Sequence, residues 1–303
     1  IIVLDVEYTC ISILLLFLKI FNWKGKLIVQ VNAPNFNYVF KKDGFNILRI
    51  LKFFQSQIFK FSLDLLDIKI SCLGEWHKIK LSNQLNFDKD KILVIEDGGG
   101  GPIKKYSKKE IDLKLNNQGI TYPKVNKKIF LLFGNIRKDK GHLFIVSAWN
   151  KYFSGNKDPY LWIVGHDEEN LKETLVRNKT NNVVIHSQYI PLDLISTIYQ
   201  KADFAILPYL RNYCGGSGPL MKGAFTHSKL ALVADVSEMG RLGSEEGLAV
   251  VFESENESSL FSRVKEVLGN KKDYYSDKIK LANKYANERD WTNLARKFIE
   301  GLN

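Results

Sequence analysis

From Ile1 to Phe252 the chain alternates short apolar runs with stretches of helical periodicity, and this restricts its fold more than any other feature. Apolar runs bounded by turn residues, each followed by a helix, are what a parallel sheet covered on both faces requires. Strands are expected near 1–5, 26–32, 67–71 and 91–95, with helices near 9–21, 44–60, 74–82 and 107–117. After Pro123 and a basic stretch (Lys124, Lys127, Lys128) the alternation restarts, with strands at 129–133, 159–164, 183–186, 203–207, 229–234 and 248–252. Helices near 140–153, 167–178, 192–201, 218–227 and 257–269 fill the gaps. The expected class is α/β, with two Rossmann-like doubly wound domains over 1–122 and 123–271. A tail, 272–303, reads as two polar helices broken near Asp290.

Composition limits the alternatives. With 303 residues, 45% hydrophobic and 25% charged, the chain can bury two cores, which excludes disorder. Cys10, Cys72 and Cys214 are scattered, so neither a disulfide framework nor a zinc site is indicated, and a reducing cytoplasm is expected. The net charge of +11 favours an anionic partner: nucleic acid, an acidic membrane or a phosphorylated substrate. No recognition helix or aromatic sheet motif supports nucleic acid. Ile11 to Phe21 is too short for a bilayer and contains Lys19, so a buried crossover helix is expected. The chain opens in an apolar strand without Met or a basic leader, which leads us to expect that a beginning is missing.

The segment 203–235 suggests a seat for a phosphate. Apolar Phe204 to Leu207 ends at Pro208, Gly215, Gly216 and Gly218 surround Ser217, and a helix is expected from Pro219 and Leu220. Glycines let backbone approach a ligand, and the first turn of a helix offers unpaired N–H groups. A second turn, Gly134-Asn135-Ile136-Arg137-Lys138-Asp139-Lys140-Gly141, follows the apolar run 129–133. It places Arg137 and Lys140 at the carboxyl end of a strand, where open α/β sheets bind ligands. A strand ending in Gly165-His166 and a loop His186 to Pro191, containing Tyr189, complete the set.

In this order these motifs resemble the nucleotide-sugar-binding domain of GT-B glycosyltransferases, specifically the retaining group called family four or group 1, over about 91–302. The Tyr-Gln-Lys-Ala-Asp helix end at 199–203 and Trp291-Thr292-Asn293-Leu294-Ala295, similar to a last helix that crosses back to the first domain, also fit. The resemblance implies a GT-B fold whose first domain is incomplete. It also implies transfer of a sugar from a nucleotide diphosphate donor to a glycan or lipid-linked acceptor, in cell-surface polysaccharide synthesis, with no metal and no cofactor beyond the donor. Arg137 and Lys140 would carry the catalytic charge. Gly134, Gly215, Gly216, Ser217, Gly218, Pro219, Leu220, Tyr189 and Glu238 would hold the donor. The expected partners are the donor, the acceptor and a peripheral membrane contact at the inner face, not nucleic acid.

The chain also departs from that pattern. Two glutamates usual in the family fall on Gly215 and Gly223, and the usual arginine after the first strand's glycine is Asn135. A non-catalytic partner subunit of an active transferase is therefore the alternative. No catalytic histidine carries over to the region of Gln30, Asn32 and Asn35. The aromatics Phe53, Phe54, Phe59 and Phe61 on the helix 45–61 read as its core face, with a membrane contact as the other reading. Asp88-Lys89-Asp90 reads as a charged turn rather than a metal motif, Gly98 to Gly101 as a hinge, and Glu238 as a loop carboxylate within reach of a donor sugar.

Overall fold

The computed structural model describes residues 2–4, 8–33, 47–66, 68–155, 159–270 and 272–302. They form two compact units, the first made of 1–96, 214–216 and 291–303, the second of 97–213 and 217–290. The division falls after Glu96 rather than after Tyr122, because 97–122 packs into the second unit's core through Ile111, Leu115, Ile120 and Tyr122. The tail likewise divides at Asp290 instead of forming one piece.

The first unit runs β1 (Ile2–Leu4), α1 (Tyr8–Ile20), β2 (Ile28–Val31), α2 (Ile47–Leu66), β3 (Lys69–Cys72), α3 (Glu75–Leu85) and β4 (Ile92–Val94). Its four strands are parallel in the order β1-β2-β3-β4. The expected buried crossover helix, α1, is buried along one side: Ile11 and Leu15 enter the core while Phe17 and Ile20 are exposed. The aromatic stripe of α2 also differs from expectation. Phe59 is buried, but Phe54 and Phe61 face solvent, because Phe59 and Leu63, one turn apart, form the core-facing edge. Phe45 and Asn35 lie outside the described residues. Asp88 caps a short 3-10 turn by accepting the Asp90 N–H at 3.0 Å, as a charged turn should.

The second unit contains α4 (Lys108–Asn117), β5 (Ile129–Phe133), α5 (His142–Tyr152), β6 (Tyr160–Val164), α6 (Lys172–Asn178), β7 (Val183–His186), α7 (Leu192–Lys201) and β8 (Phe204–Leu207). Then follow a π-helical turn (Pro219–Phe225), β9 (Leu230–Ala234), α8 (Ser237–Ser244), β10 (Val250–Phe252), α9 (Glu257–Gly269) and α10 (Ser276–Asn287). The last helix, α11 (Trp291–Leu302), belongs to the first unit, where Lys297 pairs with Glu96 at 2.7 Å. Six parallel strands form the sheet β10-β9-β8-β5-β6-β7. The chain enters at the centre, builds outward to β7, then returns to β8 on the other side of β5. Between β5 and β8 the order reverses, and crevices at such a switch point are where open α/β sheets take ligands.

Two elements differ from the sequence expectation. The helix expected over 218–227 is a seven-residue π turn, in which the Thr226 N–H reaches the Met221 carbonyl at 3.2 Å. Ser237–Ser244, expected as a loop, is helical: Leu242 and Met239 are buried and Gly243 fits against the Val251 side chain. The Gly98–Gly101 run is held by the Gly99 N–H on the Arg289 carbonyl (3.0 Å) and the Gly100 N–H on Thr226 Oγ1 (2.8 Å).

The core of this unit centres on β5. Trp149 on α5 is fully buried, packs on Phe130 and Phe153 at centroid distances of 5.4 and 4.8 Å, and donates its indole N–H to the Pro159 carbonyl at 3.3 Å. Trp149→Ala should cost about 3–5 kcal/mol. Urea unfolding checks this, and a cost under about 1 kcal/mol would show that the site collapses around the cavity.

Candidate functional site

At the carboxyl end of β5 the chain makes a tight basic turn. Gly141 has φ of +71°, and a Cβ there would lie 1.8 Å from the Pro208 carbonyl oxygen, so only glycine lets this turn meet the end of β8. The Leu210 N–H closes the junction on the Asp139 carbonyl at 2.9 Å. Lys140 is consequently buried, with 9% of its surface exposed. A Cβ on Gly134 would lie 3.3 Å from Lys140 Nζ and 3.1 Å from Pro219 Cγ, so the ammonium rests over bare backbone beside the π turn. Burial first, then the Arg137 charge, lowers the Lys140 pKa to about 8.

Arg137 is held differently. Asp139 grips its guanidinium through Nε–Oδ1 at 3.0 Å and Nη2–Oδ2 at 2.6 Å, with Glu168 at 3.9 Å. A bidentate pair largely cancels the fixed charge expected from the sequence. Among the described residues no carboxylate stands within ion-pair distance of Lys140, although Asp139 and Glu168 act on its charge from farther away.

Across from Lys140, Tyr209 is fully buried with its ring centroid 6.0 Å from Nζ, and Tyr213 lies 4.5 Å from Tyr209 between centroids. Tyr209 Oη is buried, with the Ser217 side chain as its polar neighbour. Ser217 is buried and its hydroxyl accepts the Leu220 N–H at 3.3 Å. Gly218 has ordinary helical angles, yet a Cβ there would meet nothing within 4 Å, so open space lies over it. Asp97, whose carboxyl burial holds above its ordinary pKa, accepts the Ser217 N–H and feels the Lys222 charge.

The second unit thus brings together Gly134, Arg137, Lys140, Ser217, Gly218, Pro219 and Leu220 at the switch point. Gly215 and Gly216 group with the first unit, where the adjacent Cys214 carbonyl is 3.0 Å from buried His77 Nε2. Tyr189 is 71% exposed. Glu238 sits on α8, not on a loop, and its carboxylate is bound by Arg241 through Nε at 2.8 Å and Nη2 at 2.7 Å. It is therefore an ion-paired group, bound through Oε1. At Gly223 a Cβ would fall 2.0 Å from Tyr199 Oη, which donates to the Pro219 carbonyl at 2.9 Å and whose ring stacks on His227. Tyr199 therefore fills the space a side chain at 223 would need. No cluster of potential metal ligands occurs among the described residues.

His142 was not selected by sequence reasoning, because Lys-Gly-His carries no motif of its own. It is fully buried, and its Nδ1 lies 2.9 Å from the Arg137 carbonyl, bracing the turn from beneath. Burial lowers its pKa from 6.5 to about 4. With the folded value below the unfolded one, its contribution is complete above about pH 6.5 and is lost as the pH falls toward 4. That contribution is up to about 3 kcal/mol. His142→Asn, which can keep the Nδ1 bond, should flatten this acid limb in stability measured against pH; an unchanged limb would assign it elsewhere. Gly223→Ala should destabilise by about 1–3 kcal/mol in thermal or urea unfolding, and no loss would mean that Tyr199 yields freely.

Comparison with known proteins agrees with this architecture. Residues 127–270 match the family described as Glycosyl transferases group 1. Among solved structures, HepE from Anabaena in complex with UDP is 12% identical with a TM-score of 0.77, covering 99% of this chain and 78% of that one. Sucrose-phosphate synthase from Thermosynechococcus elongatus is 13% identical with a TM-score of 0.74 over 99% and 72%. A glycosyltransferase from Rickettsia africae is 17% identical with a TM-score of 0.66 over 96% and 79%. No curated protein sequence matches significantly. The chain has the GT-B fold, and its residues 127–270 are similar to the Glycosyl transferases group 1 family.

Proposed function

We propose that this chain transfers a sugar from a nucleotide diphosphate donor to a glycan or lipid-linked acceptor, in cell-surface polysaccharide synthesis in the cytoplasm. The observation that carries the reading is Lys140, a buried cation at the switch point that makes no ion pair among the described residues and lies beside the Tyr209 ring and the open space over Gly218. A departing nucleoside diphosphate gains negative charge as the bond to the sugar's anomeric carbon breaks. A preorganised ammonium in a desolvated site stabilises that charge more in the transition state than in the ground state. The acceptor hydroxyl forms the new bond and its proton passes to the leaving phosphate, a metal-independent course with retention at carbon. HepE, whose crystals hold UDP and in another case UDP-glucose, supplies the choice of probe. The exposed apolar residues of α1 and α2 support a peripheral membrane contact. No helix among the described residues is long and apolar enough to cross a membrane.

The alternative, a non-catalytic partner of an active transferase, is favoured by Gly223, since Tyr199 closes the position where a donor-binding carboxylate is usual. Thermal shift against nucleoside diphosphates and nucleotide sugars separates the readings. Stabilisation by one such ligand, abolished by Lys140→Ala together with an about 10²–10³-fold loss of transfer rate, is expected of the enzyme. Silence across the panel would select the partner subunit. Because the Lys140 pKa is about 8, nucleotide affinity should fall as the pH rises through 8 and the ammonium discharges. Affinity measured by calorimetry from pH 6.5 to 9.5 tests this, and a flat profile would remove Lys140 from the binding role.

A further inference from the structure

Eight lysines fall between residues 104 and 128 against two acidic residues, Glu110 and Asp112, so this short segment holds more than half of the net charge of +11. In the second unit it folds around a cavity of about 450 Å³ lined by Lys108 on α4, Lys127 and Lys128 before β5, Gln200 and Lys201 ending α7, and Asp203. The cavity lies at the amino-terminal ends of β5 and β8, whereas the Lys140 seat lies at their carboxyl ends.

Four ammonium groups in this lining face one carboxylate. Asp203 accepts from Lys128 Nζ at 2.8 Å and from the Ile129 N–H at 3.0 Å. Lys201, with only 8% of its side chain exposed, pairs with Asp112 at 2.5 Å and lies 4.8 Å from the Tyr122 ring centroid. Gln200 fixes the wall: Oε1 accepts the Tyr106 N–H and Nε2 donates to the Lys104 carbonyl, each at 2.9 Å. A neighbouring cavity of about 460 Å³ shares Lys128, Gln200, Lys201 and Asp203, and adds Lys229.

We propose that this cavity is a second anion site, taking a small phosphate-bearing ligand. A solvated basic face would spread its lysines over a convex surface. Here they surround a concavity of the size small molecules occupy, with Lys201 buried in its pair with Asp112. Lysine binds phosphate as a compact point charge and does not need the flat bidentate geometry that arginine supplies. The site is independent of the donor reading, since none of its lining residues belongs to the Lys140 turn.

The test is calorimetric titration of inorganic pyrophosphate into Lys140→Ala protein, in which the other seat is disabled. Binding is expected to persist there and to weaken at least about tenfold when Lys108→Ala and Lys127→Ala are added. Should Lys140→Ala not fold, the Lys108→Ala, Lys127→Ala pair in the otherwise unaltered chain should remove one pyrophosphate from the binding stoichiometry. No binding in the Lys140→Ala protein, or an affinity or stoichiometry indifferent to the Lys108 and Lys127 substitutions, would overturn the proposal.

Discussion

The close approach of the turn after β5 to the end of β8 is the constraint on which the second unit's chemistry depends. Gly141 lies against the Pro208 carbonyl with no room for a Cβ, and the Leu210 N–H fastens the two turns together. Because the strand order reverses between β5 and β8, this contact is made where the sheet leaves a crevice open. Lys140 is pressed under the junction, His142 braces the Arg137 carbonyl from below, and the π turn from Pro219 covers the opposite side. Moving the backbone at 141 by even the width of a methyl group would disturb each of these at once.

Electrostatics then separates two cations that the sequence presents as equivalent. Arg137 is more strongly basic, yet Asp139 offsets it at bidentate distances. Lys140 is weakened by burial but has no such paired partner among the described residues, so its field reaches the crevice little screened by water and offset only at longer range by Asp139 and Glu168. Desolvating an unpaired ammonium is costly, and the cost is offset when an anion arrives. A diphosphate would bring that charge.

Much of this was legible in the sequence because parallel strands buried on both faces must be apolar throughout. Ile129–Phe133 and Val183–His186 therefore announce themselves, and the turn glycines mark where they end. Local periodicity does not carry tertiary partners. Nothing in Gly-Ala-Phe at 223–225 reveals that Tyr199, a helix away, occupies the space beside Gly223. Ser237–Ser244 hides as a helix because two glycines and two serines lower its propensity, and burial of Met239 and Leu242 overrides that preference. The pairing of Glu238 with Arg241 depends on that helix, three residues making one turn, and vanishes from view when the segment is taken as a loop. The outward aromatics of α2 were misjudged for a related reason: four phenylalanines within one helix cannot all lie on a single face, and only Phe59 is fully buried.

The central claim is that the Lys140 ammonium is where the phosphates of a donor are held. A crystal structure of the protein soaked with UDP tests it most directly. The account predicts diphosphate oxygens within about 3 Å of Lys140 Nζ, lying over Gly134 and Gly218. UDP bound elsewhere in the second unit, with Lys140 still buried against Gly134 and untouched by phosphate, would contradict it.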